Sequence, residues 1–156
     1  MKKFLVVVSV VLLALLMNPQ RGGAVGETYV TAAVDGAFAT PSVLSGVQLN
    51  GSSSGFGVII YADNTAEGDF QTVLAGVSAL GTAQNIAISG KVTAGAANLD
   101  GSVTFSGAAS VDLGDGSVPL QGVPFSVTAT TQGLQLVVGA TTLAPQTLTG
   151  GTITIQ

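Results

Sequence analysis

The chain has 156 residues, no cysteine, no histidine and only 8% charged residues. Without thiol or imidazole it lacks disulfides, Cys–His and Ser–His–Asp nucleophilic sites, His-based proton transfer, and zinc or copper centres built on those ligands. Beyond residue 24 a single cation, Lys91, faces eight acids, a formal charge of −7. That balance argues against nucleic acid and anionic membranes as partners, since both need clustered Lys and Arg.

The first element is a leader. Met1-Lys2-Lys3 precedes an apolar run over residues 4–17, broken only by Ser9 and ended by Asn18-Pro19, and small residues follow in "RGGAVG". This is the layout of a secretory signal peptide. As a helix such a run spans about 21 Å, short of the roughly 30 Å of a bilayer core, so a cleaved signal is favoured over a retained anchor. The expected cut follows Ala24, with Gly26 as the alternative. Residues 1–24 are then a signal-peptide helix, and residues 25–156 a single domain of 132 residues, long enough for a core of its own. The expected location is periplasmic, extracellular or otherwise secreted, with no membrane contact after cleavage.

Past the leader the composition turns to Gly, Thr, Ser, Val and Ala, and period-two alternation replaces helical stripes. Turns are expected at Asp35-Gly36 and Asn50-Gly51, with "NGSSSG" (50–55) as a hairpin loop. "GFGVIIYA" (55–62) is apolar on both faces and reads as a central strand buried on both sides. "YADNTAEGDF" (61–70) reads as a polar hairpin connection, between a strand ending near Tyr61 and another starting near Asp69. "TVLAGVSALG" (72–81) fits either a short helix or a strand with a loop.

From there the alternation is regular. Ile86, Ile88, Gly90 and Val92 share one face of "NIAISGKVT". Val103 and Phe105 share one in "SVTFSG", as do Phe125, Val127 and Ala129 in "PFSVTATT", and Ile153 and Ile155 in "TITIQ". "GLQLVVGA" (133–140) is apolar on nearly both faces. Further turns are expected at Asp100-Gly101, Asp115-Gly116 and Gln132-Gly133. One packed and one wet face is the mark of antiparallel sheets, and the turn spacing gives an all-β domain. The expected form is a single antiparallel β-sandwich or flattened β-barrel of about eight to ten strands.

"GDFQTVLAG", "QNIAISGKVTAG", "DGSVTFSGAASVDLGDG", "GVPFSVTATT" and "LTGGTITIQ" resemble small exported bacterial β-domains of unknown function. The resemblance covers roughly residues 55–156 and rests on strand and turn patterns. It implies an all-β fold and carries over no active-site residue.

Few residues could carry chemistry. Asp63, Asn64, Glu67 and Asp69, with Asp112 and Asp115, offer oxygen ligands of the kind calcium takes on loops. None of these stretches matches the D-x-[DN]-x-[DN]-G-x5-E loop, and Asp, Asn and Gly are also what turns are built from. Glu67 with Asp63 or Asp69 could form the carboxylate pair of a hydrolase, but Trp is absent and Tyr29 and Tyr61 are the only tyrosines to make a sugar platform. Lys91 lies among Ser and Thr on a polar strand face, where a lysine stays solvated rather than becoming a nucleophile. No catalytic, cofactor-binding or metal-ligating residue is assigned, and no cofactor.

The leading expectation is a secreted, non-enzymatic binding or structural module of the cell envelope or extracellular space. Three alternatives stand beside it. One is a barrel whose Phe56, Tyr61, Phe70, Phe105 and Phe125 line a small apolar ligand cavity. Another is a carboxylate-dependent hydrolase using Glu67. The last is self-association through strand edges.

Overall fold

The computed structural model describes residues 26–156; the leader expected over 1–24 lies outside the described residues. No helix forms among them, so 72–81 is strand and turn. Nine strands do: β1 (Thr28–Leu44), β2 (Val47–Ile60), β3 (Thr65–Val77), β4 (Ala83–Ala97), β5 (Val103–Asp112), β6 (Leu120–Thr130), β7 (Gly133–Val138), β8 (Thr141–Thr142) and β9 (Gln146–Ile155). All belong to one sheet of order β6-β5-β4-β3-β2-β1-β9-β7-β8, and β6 also pairs with β7. The pairings therefore close in a ring, and every pairing is antiparallel.

The ring is neither two stacked sheets nor a continuous barrel. β1 meets β2 from Thr28↔Ile60 to Leu44↔Val47, but β7 meets β9 only through Gly133↔Thr147 and Leu134↔Gln146. The loop around β8 helps close that region. Leu143 is buried, its N–H bonds the Leu136 carbonyl at 3.0 Å, and the Ala144 N–H reaches the buried Ser42 hydroxyl at 2.9 Å.

The alternating positions face as expected. Ile86, Ile88, Gly90 and Val92 point inward, as do Val103 and Phe105, then Phe125, Val127 and Ala129, and Ile153. At the centre four phenylalanines meet. The Phe56 and Phe70 ring centroids lie 6.2 Å apart, Phe56 and Phe105 5.1 Å, Phe70 and Phe105 6.1 Å, and Phe70 stacks on Phe125 at 5.2 Å. Such tilted and stacked arrangements suit the ring quadrupoles and add to area burial. Gly90 makes the last of them possible, because a Cβ there would sit 2.5 Å from Phe125 Cε1.

Three local expectations are corrected. "GFGVIIYA" is central, paired on both edges, but it is not buried on both faces: Phe56, Val58 and Ile60 point in while Gly57 is exposed. "NGSSSG" is not a loop, and neither Asp35-Gly36 nor Asn50-Gly51 turns the chain; all lie inside β1 or β2. There glycine serves close approach rather than reversal. A Cβ on Gly36 would meet Gln146 Oε1 at 2.9 Å, and one on Gly51 would meet the Gly36 carbonyl oxygen at 2.9 Å. The actual β1–β2 reversal is Ser45-Gly46, with φ of 50° and 81°, the double positive φ of a type I′ hairpin. Last, β3 starts at Thr65 rather than near Asp69, so most of "YADNTAEGDF" is strand.

Candidate functional site

Three hairpins share one five-residue turn: 61–65, 78–82 and 98–102. In each, the first N–H bonds the fifth carbonyl and the fourth N–H bonds the first carbonyl, at 2.8–3.1 Å. The fourth residue is left-handed: Asn64 at 65°, Gly81 at 80° and Gly101 at 82°. This is a type I turn followed by a left-handed residue, a common three-residue hairpin loop. The fifth residue carries a hydroxyl each time, in Thr65, Thr82 and Ser102.

This turn accounts for Asp63. Its Oδ1 accepts the Thr65 N–H at 3.0 Å and the Thr65 hydroxyl at 2.6 Å, and Asp100 repeats the pattern on Ser102 at 2.9 and 2.6 Å. In the 78–82 turn Leu80 stands at the aspartate's position, and the Thr82 hydroxyl is instead bonded to that of Ser78, the first turn residue, at 2.7 Å. Asp115 accepts the Ser117 N–H and Asp112 the Gly114 N–H, both at 2.9 Å. Hydrogen bonds from Thr65, Ser102 and Ser117 hold the Asp63, Asp100 and Asp115 carboxyls below the usual aspartate range.

The remaining acids of the stretch part company. Asp69 faces Lys91 across the β3–β4 ladder in a 2.5 Å ion pair, exposed on both sides. Glu67 lies opposite Ile59 on the outer face. Among the described residues no three of His, Cys, Asp or Glu come together in a way that could hold a metal ion. The phenylalanines named for an apolar cavity pack on one another, and Tyr61 is outside their cluster, in the β2–β3 turn.

What the sequence reading missed is a hollow on the outer face of β1–β5, of about 740 Å³ and open to solvent. Two cross-strand rungs build it. One runs Asp35, Ser53, Val73, Ala87, Asp112; the next runs Ala33, Gly55, Gln71, Ser89, Ser110. Its floor is low because Ala33, Gly55 and Ala87 carry so little side chain. Pro119, on the β5–β6 connection, contributes to the wall, and Gln121 Nε2 donates to the Ser110 hydroxyl at 2.8 Å. At roughly 4.8 Å per strand, Asp35 and Asp112 stand about 19 Å apart measured along the curved sheet, at its two ends. The rung beyond holds Thr31, Gly57, Asp69, Lys91 and Ala108, so the Lys91 charge is matched by Asp69.

The hollow therefore presents hydroxyls, one amide and a net negative rim. Beside Ser89 there is no imidazole, since histidine is absent from the sequence, and the Lys91 ammonium, 78% exposed, is engaged by Asp69. The signal for this site was available only as alternate small and polar positions on separate strands, which no local pattern joins. Comparison with known protein families, curated proteins and solved structures found no match.

Proposed function

We propose that the protein is an exported, non-enzymatic binding module that receives a polar, non-anionic ligand in the hollow on β1–β5. The observation that carries this reading is the paired rungs, with hydroxyls from Ser53, Ser89 and Ser110, the Gln71 amide, and an aspartate at each end. Those groups offer donors and acceptors to an extended ligand, and the two carboxylates disfavour an anionic one. The leader-like residues 1–24 support export, and the lack of histidine and cysteine in the sequence, with no converging acid group among the described residues, supports binding over turnover.

Probing an array of neutral, amine-bearing and uronate oligosaccharides tests it. Amine-bearing or neutral chains bind, uronates do not, and Ser89→Trp, which fills the hollow, removes the binding. Reproducible turnover of any polymer or ester by the purified protein, or binding untouched by Ser89→Trp, would overturn it.

A further inference from the structure

We propose that the second half of β9 is an edge-pairing site for a second copy of this chain. Along β1, β9 pairs from Phe38↔Gln146 to Val30↔Ile155, yet along β7 it pairs only at Gln146 and Thr147. From residue 149 onward its other edge has no strand partner among the described residues.

The backbone groups on that edge can be named. Tyr29 and Gln156 exchange both hydrogen bonds, at 2.8 and 2.9 Å. In an antiparallel ladder the direction alternates, so Gln156, Thr154 and Thr152 turn their N–H and C=O toward β1. Ile153 and Ile155 turn theirs to the open side. Exposed strand edges are normally guarded by Lys, Pro, bulges or short length. Residues 148–156 contain no charged side chain and no proline. The irregularities of β9, the register shift between Asp35 and Gly36 that skips Thr149 and the positive φ of Gly151, precede residue 152 and leave 152–156 in regular register with β1.

A second copy fits this edge better than an unrelated strand because the edge is self-complementary. Two β9 strands running antiparallel about a two-fold axis at Thr154 place Ile153 opposite the other copy's Ile155, and the reverse, giving about four main-chain hydrogen bonds. Thr154 then faces its own counterpart on the outer surface, a pairing that hydrogen-bonds across strands. On the inner side Ile155, only partly buried, gains apolar cover. Charge points the same way. Copies that each carry an excess of acids repel, and the 148–156 stretch, free of charged side chains, is where two of them approach at least cost.

Sedimentation of the purified chain across a concentration series, repeated for Thr154→Lys, tests this. The mass rises from one chain toward two with concentration, and Thr154→Lys, which sets two ammonium groups opposite each other, raises the half-association concentration by about tenfold or more. Because Thr154 is exposed and its backbone bonds to β1 remain, the urea midpoint of the variant stays near that of the parent. Thr154→Cys supplies an independent readout in a chain with no other cysteine, forming a disulfide-linked dimer on oxidation much faster than Ser89→Cys. A chain that stays monomeric at all concentrations, association indifferent to Thr154→Lys, or equal crosslinking at positions 154 and 89 overturns the proposal.

Discussion

Gly90→Ala is the sharpest test of how the core is packed. Gly90 is buried in β4 between Phe70 of β3 and Ala109 of β5, and the Phe125 ring fills the space its missing side chain leaves. An added Cβ would lie 2.5 Å from Phe125 Cε1 and 3.1 Å from both Phe125 Cδ1 and the Ala109 Cβ. Its φ is not positive, so the substitution carries no backbone strain of that kind. By itself, replacing glycine in a strand favours folding by about 0.4–1 kcal/mol through the unfolded chain. Overpacking a full core costs about 1–3 kcal/mol, and moving the ring also weakens its stack on Phe70, a contact worth about 0.5–1.5 kcal/mol. The balance is a net loss of about 1–2 kcal/mol. Urea unfolding followed by fluorescence or circular dichroism reads it as a lower midpoint at unchanged slope. The cause is isolated with Phe125→Leu, which removes the ring atoms that collide. Phe125→Leu alone destabilises, but with it in place Gly90→Ala costs about 1 kcal/mol less than in the parent. A neutral or stabilising Gly90→Ala, or strict additivity with Phe125→Leu, would refute the reasoning.

Acid should destabilise the protein through its turns. The Asp63, Asp100 and Asp115 carboxyls are held below their usual value by their own turn donors, so their stabilisation is full above the unfolded value near 4 and is lost as pH falls through the lower, folded values. Melting temperatures at pH 7 and pH 3 should therefore converge in an Asp63→Asn, Asp100→Asn double variant; an unchanged difference assigns the acid sensitivity elsewhere. Calcium should raise the melting temperature no more than sodium at equal ionic strength, because no three acids meet among the described residues. A calcium-specific rise abolished by Asp69→Asn contradicts that expectation.

Much of the fold is legible because each strand has one wet and one packed face. "NIAISGKVT" and "PFSVTATT" announce which side of β4 and β6 is inward, since a one-residue slip would bring Lys91 or Thr128 into the core. The turns are less legible, because Asp-Gly and Asn-Gly mean reversal only where the partner strand lies next in sequence. At Gly36 the neighbours are the Gln146 and Ser52 side chains, brought there by β9 and β2, and at Gly51 the neighbour is the Gly36 carbonyl of β1; each glycine answers that closeness. The length of β1 and β2 follows from this, since both run straight through the positions where a local reading stops them.

The same distinction decides the acids of "YADNTAEGDF". Three carboxylates within seven positions look like a ligand set because sequence reports only how near they are along the chain. Direction is set by the turn and the ladder. Asp63 is committed to Thr65 by a turn that recurs at Asp100, where no neighbouring acid invites a metal reading. Asp69 is committed to Lys91, some twenty residues away, by the β3–β4 register. Asp35 and Asp112, far apart in sequence and each unremarkable alone, are set at opposite ends of one rung by four successive strand pairings. In a domain with this little charge, the place to look for a site is therefore the cross-strand rung rather than the acidic loop.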